Sequence, residues 1–147
     1  MALSALCSAM AQAEVPSACP GPDAVRPVHL YGEWSLTWWP DADPSPDAVS
    51  TPRTGRVRFE RHPEFEGNVR GQVWWRTEAA PALLAGDVTD GELLLDESTD
   101  GQRIDAVWVG TPLDCARRFE GTRRAADGAL SDPPVLRFRL QKTPGWR

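Results

Sequence analysis

The sequence predicts an all-β protein: eight short antiparallel strands in an up-and-down meander, closed into a small barrel, with little helix. Three observations carry this expectation. Beyond residue 28 apolar residues recur with period two, and no segment carries a helical stripe. Turn signals punctuate the alternating segments. Among them Asp90-Gly91 and Asp100-Gly101, ten residues apart and each preceded by Thr, are of the kind a type I′ hairpin needs. The length, 147 residues with 41% hydrophobic and 25% charged, is that of one ordinary globular domain. A two-sheet sandwich of the same strands is the alternative.

Residues 1–13 (MALSALCSAMAQA) are small, apolar and uncharged, and end in Ala11-Gln12-Ala13. This A-x-A ending is a cleavage signature, so the segment reads as a signal peptide. The usual basic n-region is missing, which points to a true start further upstream. Residues 14–27 hold four prolines and read as an extended N-terminal arm. Residues 28–147 then form the single barrel domain. No later stretch approaches the ~18 apolar residues of a membrane helix, so the mature chain is not expected to span a membrane.

The first strand is residues 30–39, with Leu30, Gly32, Trp34, Leu36 and Trp38 on one face. A Pro-rich polar loop, 40–54, follows. The second strand is 56–61, ended by a turn at His62-Pro63. The third is 68–77, where Val69, Gly71, Val73 and Trp75 alternate with Arg70, Gln72, Trp74 and Arg76. Strands at 83–88, 92–97 and 104–109 are joined by the two Asp-Gly hairpins. Residues 111–118 read as a short helical turn. The seventh strand is 117–123, and the eighth is 136–141 with Leu136, Phe138 and Leu140 inside and Arg137 and Arg139 outside.

Of three cysteines, Cys7 leaves with the signal. Cys19 and Cys115 remain, an even number in an oxidising compartment, and the simplest reading is one disulfide. It would close a loop of roughly a hundred residues, worth on the order of 4 kcal/mol. Lipidation of Cys19 is the alternative, although Val15-Pro16-Ser17-Ala18 is a poor lipobox. No CxxC or CxxH spacing exists and His29 and His62 stand alone, so no metal and no cofactor is expected. The expected location is periplasmic or secreted.

Formal net charge is -5, which argues against nucleic acid as a partner. No GxSxG motif is present, both mature cysteines are spoken for, and each histidine sits in a loop. No catalytic residue is assigned, and the expected task is binding without catalysis. The acidic stretch Asp87, Asp90, Asp96, Glu97 and Asp100 lacks EF-hand spacing.

The seven tryptophans are the most informative residues. Neighbours on a strand face opposite sides, so Trp38-Trp39 and Trp74-Trp75 each put one indole in and one out. Trp38, Trp75 and Trp108 would line an interior site for a small apolar or aromatic molecule. Trp39, Trp74 and Arg118 would serve the rival reading, a periplasmic inhibitor or accessory subunit that binds a protein. The arginines of strands two, three, seven and eight could form a basic outer stripe, or a solvated face paired with Glu and Asp.

Gly32-Glu33-Trp34 places a Gly-x-Trp motif at the start of the first strand of an eight-stranded meander. In this the chain resembles the lipocalin and wider calycin group, and its layout is similar to avidin-like barrels. The resemblance implies that Trp34 packs across the closed end of the barrel beneath a basic side chain from the last strand, here Arg137 or Arg139. The family's Thr-Asp-Tyr triad is not matched; Thr89-Asp90-Gly91 and Thr99-Asp100-Gly101 keep only its first two residues. No C-terminal helix is expected before Arg147. Small bacterial barrels of the secreted-protease-inhibitor type share the size, the export signal, the single disulfide and the Gly-x-Trp start, with the disulfide nearer strand two.

Overall fold

The computed structural model describes residues 18–41, 53–127 and 134–145. The expected signal peptide, Cys7, Trp146 and most of the 40–54 loop lie outside the described residues. The strands are β1 Gly32–Pro40, β2 Arg53–Arg61, β3 Val69–Trp74, β4 Ala82–Thr89, β5 Glu92–Ser98, β6 Ala106–Leu113, β7 Arg118–Ala125 and β8 Val135–Lys142. Each pairs with the next, and β1 also pairs antiparallel with β8, which closes the barrel. That closure excludes the sandwich. Two short 3-10 turns, Pro22–Ala24 and Pro27–His29, precede β1.

Period two sets which side chains fill the interior. In β5, Leu93, Leu95 and Glu97 are buried while Glu92, Leu94 and Asp96 are exposed. The same alternation brings Leu36, Val57, Phe59, Leu84, Phe138 and Leu140 into one core. The diameter of eight strands leaves room for side chains and little else. Gly110 and Gly121 face each other across β6 and β7. A Cβ on Gly110 would stand 2.9 Å from Phe138 Cζ, so glycine there makes room for the ring.

The two ends differ. At one, the N-terminal arm plugs the barrel with Val25 and Leu30, both fully buried. Trp34 Nε1 donates to the Leu30 carbonyl at 2.7 Å, and its ring meets Phe119 edge-on at 5.5 Å. The Cys19–Cys115 disulfide ties the arm to the β6–β7 turn. The cation over Trp34 is Lys142, with Nζ 5.2 Å from the ring centre and donating to the His29 carbonyl at 2.8 Å. This corrects the assignment of Arg137 or Arg139. The β1–β8 register sets Trp34 opposite Lys142. Arg137 and Arg139 lie on the outward parity, where they face Asp41 at 3.5 Å and Glu120 at 2.7 Å.

The connections show two further differences. Asp90-Gly91 forms the tight hairpin expected, with φ of 52° and 78°. Asp100-Gly101 does not, because only Gly101 of the pair has positive φ. A longer loop forms there around the Asp100 carboxylate, which accepts from the N–H groups of Gln102 and Arg103 at 2.8 and 2.9 Å. The 111–118 segment is not helical. β6 runs through it to Leu113, and Asp114, Cys115 and Ala116 then turn the chain with φ of 50°, 56° and 60°.

Candidate binding site at the tryptophan end

The end opposite the arm is built from aromatic and charged side chains. Trp38 stands near the end of β1, opposite Arg53 at the start of β2. Trp75 follows directly on β3. Trp108 of β6 lies opposite Leu95 and Arg123 on its two neighbours. Trp38 meets Trp75 edge-on at 5.4 Å. Trp75 meets Trp108 at 5.4 Å, and Trp108 meets Phe138 at 4.9 Å. The three indoles expected to act together are therefore in one chain of contacts. Trp108 is its buried floor, and Trp38 and Trp75 are only partly buried and pack against the core.

Glu97 organises this floor. Its Oε2 accepts from Trp108 Nε1 at 2.7 Å and from Arg123 Nε at 2.9 Å. Its Oε1 accepts from Trp75 Nε1 and from an Arg123 terminal nitrogen, both at 3.1 Å. A buried carboxylate is tolerable only with such charge-assisted partners. The Arg123 guanidinium also lies 5.1 Å from the Trp75 ring centre. Glu97 and Arg123 are the residues of this candidate site that the sequence alone did not single out. A signal existed: Glu97 is in phase with Leu93 and Leu95, and Arg123 with Phe119 and Gly121.

Arg53 holds its guanidinium 4.9 Å from the Trp38 ring centre. Among the described residues it has no carboxylate partner. Trp38 Nε1 is buried and has no acceptor among the described residues, a condition that costs about 1–3 kcal/mol where it persists. Beside this cluster a hollow of about 520 Å³ is bordered by Arg123, Ala125, Ile104 and Asp105, among others. Asp105 accepts from the Thr99 N–H at 2.7 Å, and this bond holds its carboxyl below the ordinary range. Backbone N–H groups of Arg103 and Gln102 pull Asp100 down to about 2.

The residues expected on the outside are not gathered into one site. Trp39 has the outward parity but is only 5% exposed. Alternation assigns a face of the sheet and not an exposure, and a wide indole can cover itself on cross-strand neighbours. It borders a shallow hollow of about 190 Å³ with Thr111, Glu120 and Arg137, and its Nε1 has no acceptor among the described residues. Trp74 is half-buried, with the Arg56 guanidinium 3.8 Å from its ring centre. Arg118 lies 3.6 Å from Glu120. Both histidines shape turns: His29 Nδ1 accepts from the Arg26 N–H, and His62 Nδ1 from those of Glu64 and Phe65. Among the described residues no three His, Cys, Asp or Glu side chains are placed to hold a metal.

The fold thus defines the class: a closed eight-stranded antiparallel barrel of up-and-down order. No family model matches the chain, and no curated protein does. Among solved structures it is similar to a redesigned β-barrel, with a TM-score of 0.49 and 18% identity, covering 80% of this chain and 95% of that one.

Proposed function

We propose that the protein is an exported binding protein whose ligand, a small apolar or aromatic molecule, docks at the tryptophan end of the barrel. The observation that carries this reading is the graded burial of three touching indoles. Trp108 is a sealed floor fixed by Glu97, and Trp38 and Trp75 stand above it, partly open, at the end the arm does not plug. Two partly open indoles backed by a fixed, buried third are a preorganised surface for a flat apolar group. The task is binding without catalysis: all the acceptor positions of Glu97 that the geometry defines are taken by N–H donors. The Cys19–Cys115 disulfide supports a periplasmic or secreted location.

Calorimetric titration of the oxidised protein with naphthalene-2-carboxamide tests the reading. Saturable binding that Trp38→Ala weakens at least tenfold supports it; absence of saturable heat refutes it. One observation favours a second reading, a protein partner: Arg56 over half-buried Trp74 on the outer face, a pairing suited to an interface anchor. In that case Trp74→Ala disrupts the complex and leaves the titration unchanged.

A further inference from the structure

Three charged side chains touch the indole cluster: Glu97, Arg123 and Arg53. Glu97 and Arg123 form a bidentate pair and cancel. The charge of Arg53 is left uncompensated among the described residues. Its position is not incidental, because the β1–β2 register sets it opposite Trp38 on the same inward parity. Trp38 in turn carries a buried Nε1 donor without an acceptor among the described residues. One partly open indole thus combines an aromatic surface, an unpaired guanidinium and an unsatisfied N–H. Guanidinium has a planar fork of donors that matches a carboxylate.

We propose, on the basis of the ligand reading above, that this end selects a planar aromatic ligand bearing a carboxylate, with its ring against Trp38 and Trp75 and its anion on Arg53. The Glu97–Arg123 pair beneath it keeps a second negative charge from facing the ligand, since both Glu97 oxygens are already bonded.

The test compares naphthalene-2-carboxylate with its neutral isostere, naphthalene-2-carboxamide, by calorimetric titration of the full oxidised chain. The carboxylate is expected to bind about tenfold more tightly than the amide, as one charge-assisted contact would give. Raised salt should narrow the gap. Arg53→Met should abolish the carboxylate's advantage over the amide, and Arg53→Lys should leave an intermediate advantage. Arg53 is exposed at a strand start, so the fold survives the change; Arg70→Met, on the outer face, should alter neither ligand. Equal affinity of the two probes, or equal loss of both in Arg53→Met, overturns the anion preference and leaves the ligand reading standing. Absence of binding by both overturns the two together.

Discussion

Glu97→Ala removes the acceptor that four N–H groups share. What remains is a guanidinium only 17% exposed and the Nε1 of Trp108, whose side chain is fully buried. Breaking a buried ion pair from one side costs about 3–5 kcal/mol. Arg123 borders a hollow that water can reach, which places its share at the lower end of that range. The stranded Trp108 donor adds about 1–2 kcal/mol, less any relaxation. The expected loss is therefore about 4–5 kcal/mol before relaxation, a large fraction of the stability of a domain this size. Urea unfolding followed by far-UV circular dichroism reads it directly. Arg123→Ala should cost less, because Glu97 keeps two indole donors. The double variant should cost clearly less than the sum of the two, since the pair acts as a unit. A Glu97→Ala protein within about 1 kcal/mol of the parent, or additive single changes, would refute the view that this carboxylate holds the aromatic floor.

The remaining predictions concern the turns and the staple. Asp114 is an exposed non-glycine residue at φ 50°, so Asp114→Gly should raise stability by about 1 kcal/mol in the same assay; destabilisation would show that its side chain contributes something the turn needs. The lowered carboxyls of Asp100 and Asp105 predict acid sensitivity. A depressed folded-state value adds stability above the unfolded value and loses it as pH falls through the folded one. For Asp100 that window runs from 3.8 down to about 2. Urea midpoints should drop across it, and Asp100→Asn should be less stable near neutrality and show a shallower acid decline. Replacing both Cys19 and Cys115, 96 residues apart in sequence, by Ser should cost about 2–4 kcal/mol, read as a lower thermal midpoint. An unchanged midpoint would mean that Val25 and Leu30 hold the arm without the bond.

Much of the fold was legible because period-two alternation is a local signal. Strand β3 reads directly from Val69, Gly71 and Val73, and the Asp90-Gly91 hairpin from its two residues. The β5–β6 connection misled because Thr99-Asp100-Gly101 has the same letters as Thr89-Asp90-Gly91. What separates them is the reach of the Asp100 carboxylate to the later N–H groups of Gln102 and Arg103 and back to the Ser98 hydroxyl, which a dipeptide does not encode. The segment around Asp114, Cys115 and Ala116 reads as helix because three successive non-glycine residues in the left-handed region are rare. Lys142 over Trp34 required the register between the first and last strands, which no local pattern fixes. Of the candidate site, the three inward indoles were visible from parity alone. The buried Glu97–Arg123 pair was hidden in an acidic stretch and an arginine cluster, each of which reads as solvated surface when periodicity is ignored.

The most direct test of the ligand site is site-resolved nuclear magnetic resonance of the indole N–H groups. Uniformly nitrogen-15-labelled protein would be titrated with naphthalene-2-carboxamide and its indole cross-peaks assigned by Trp→Phe variants. Saturable shifts of the Trp38 and Trp75 signals are expected, with a smaller change at Trp108 beneath them and none at Trp34 behind the plugged end. Shifts confined to Trp74, or no saturable shift at Trp38 and Trp75, would contradict the ligand reading.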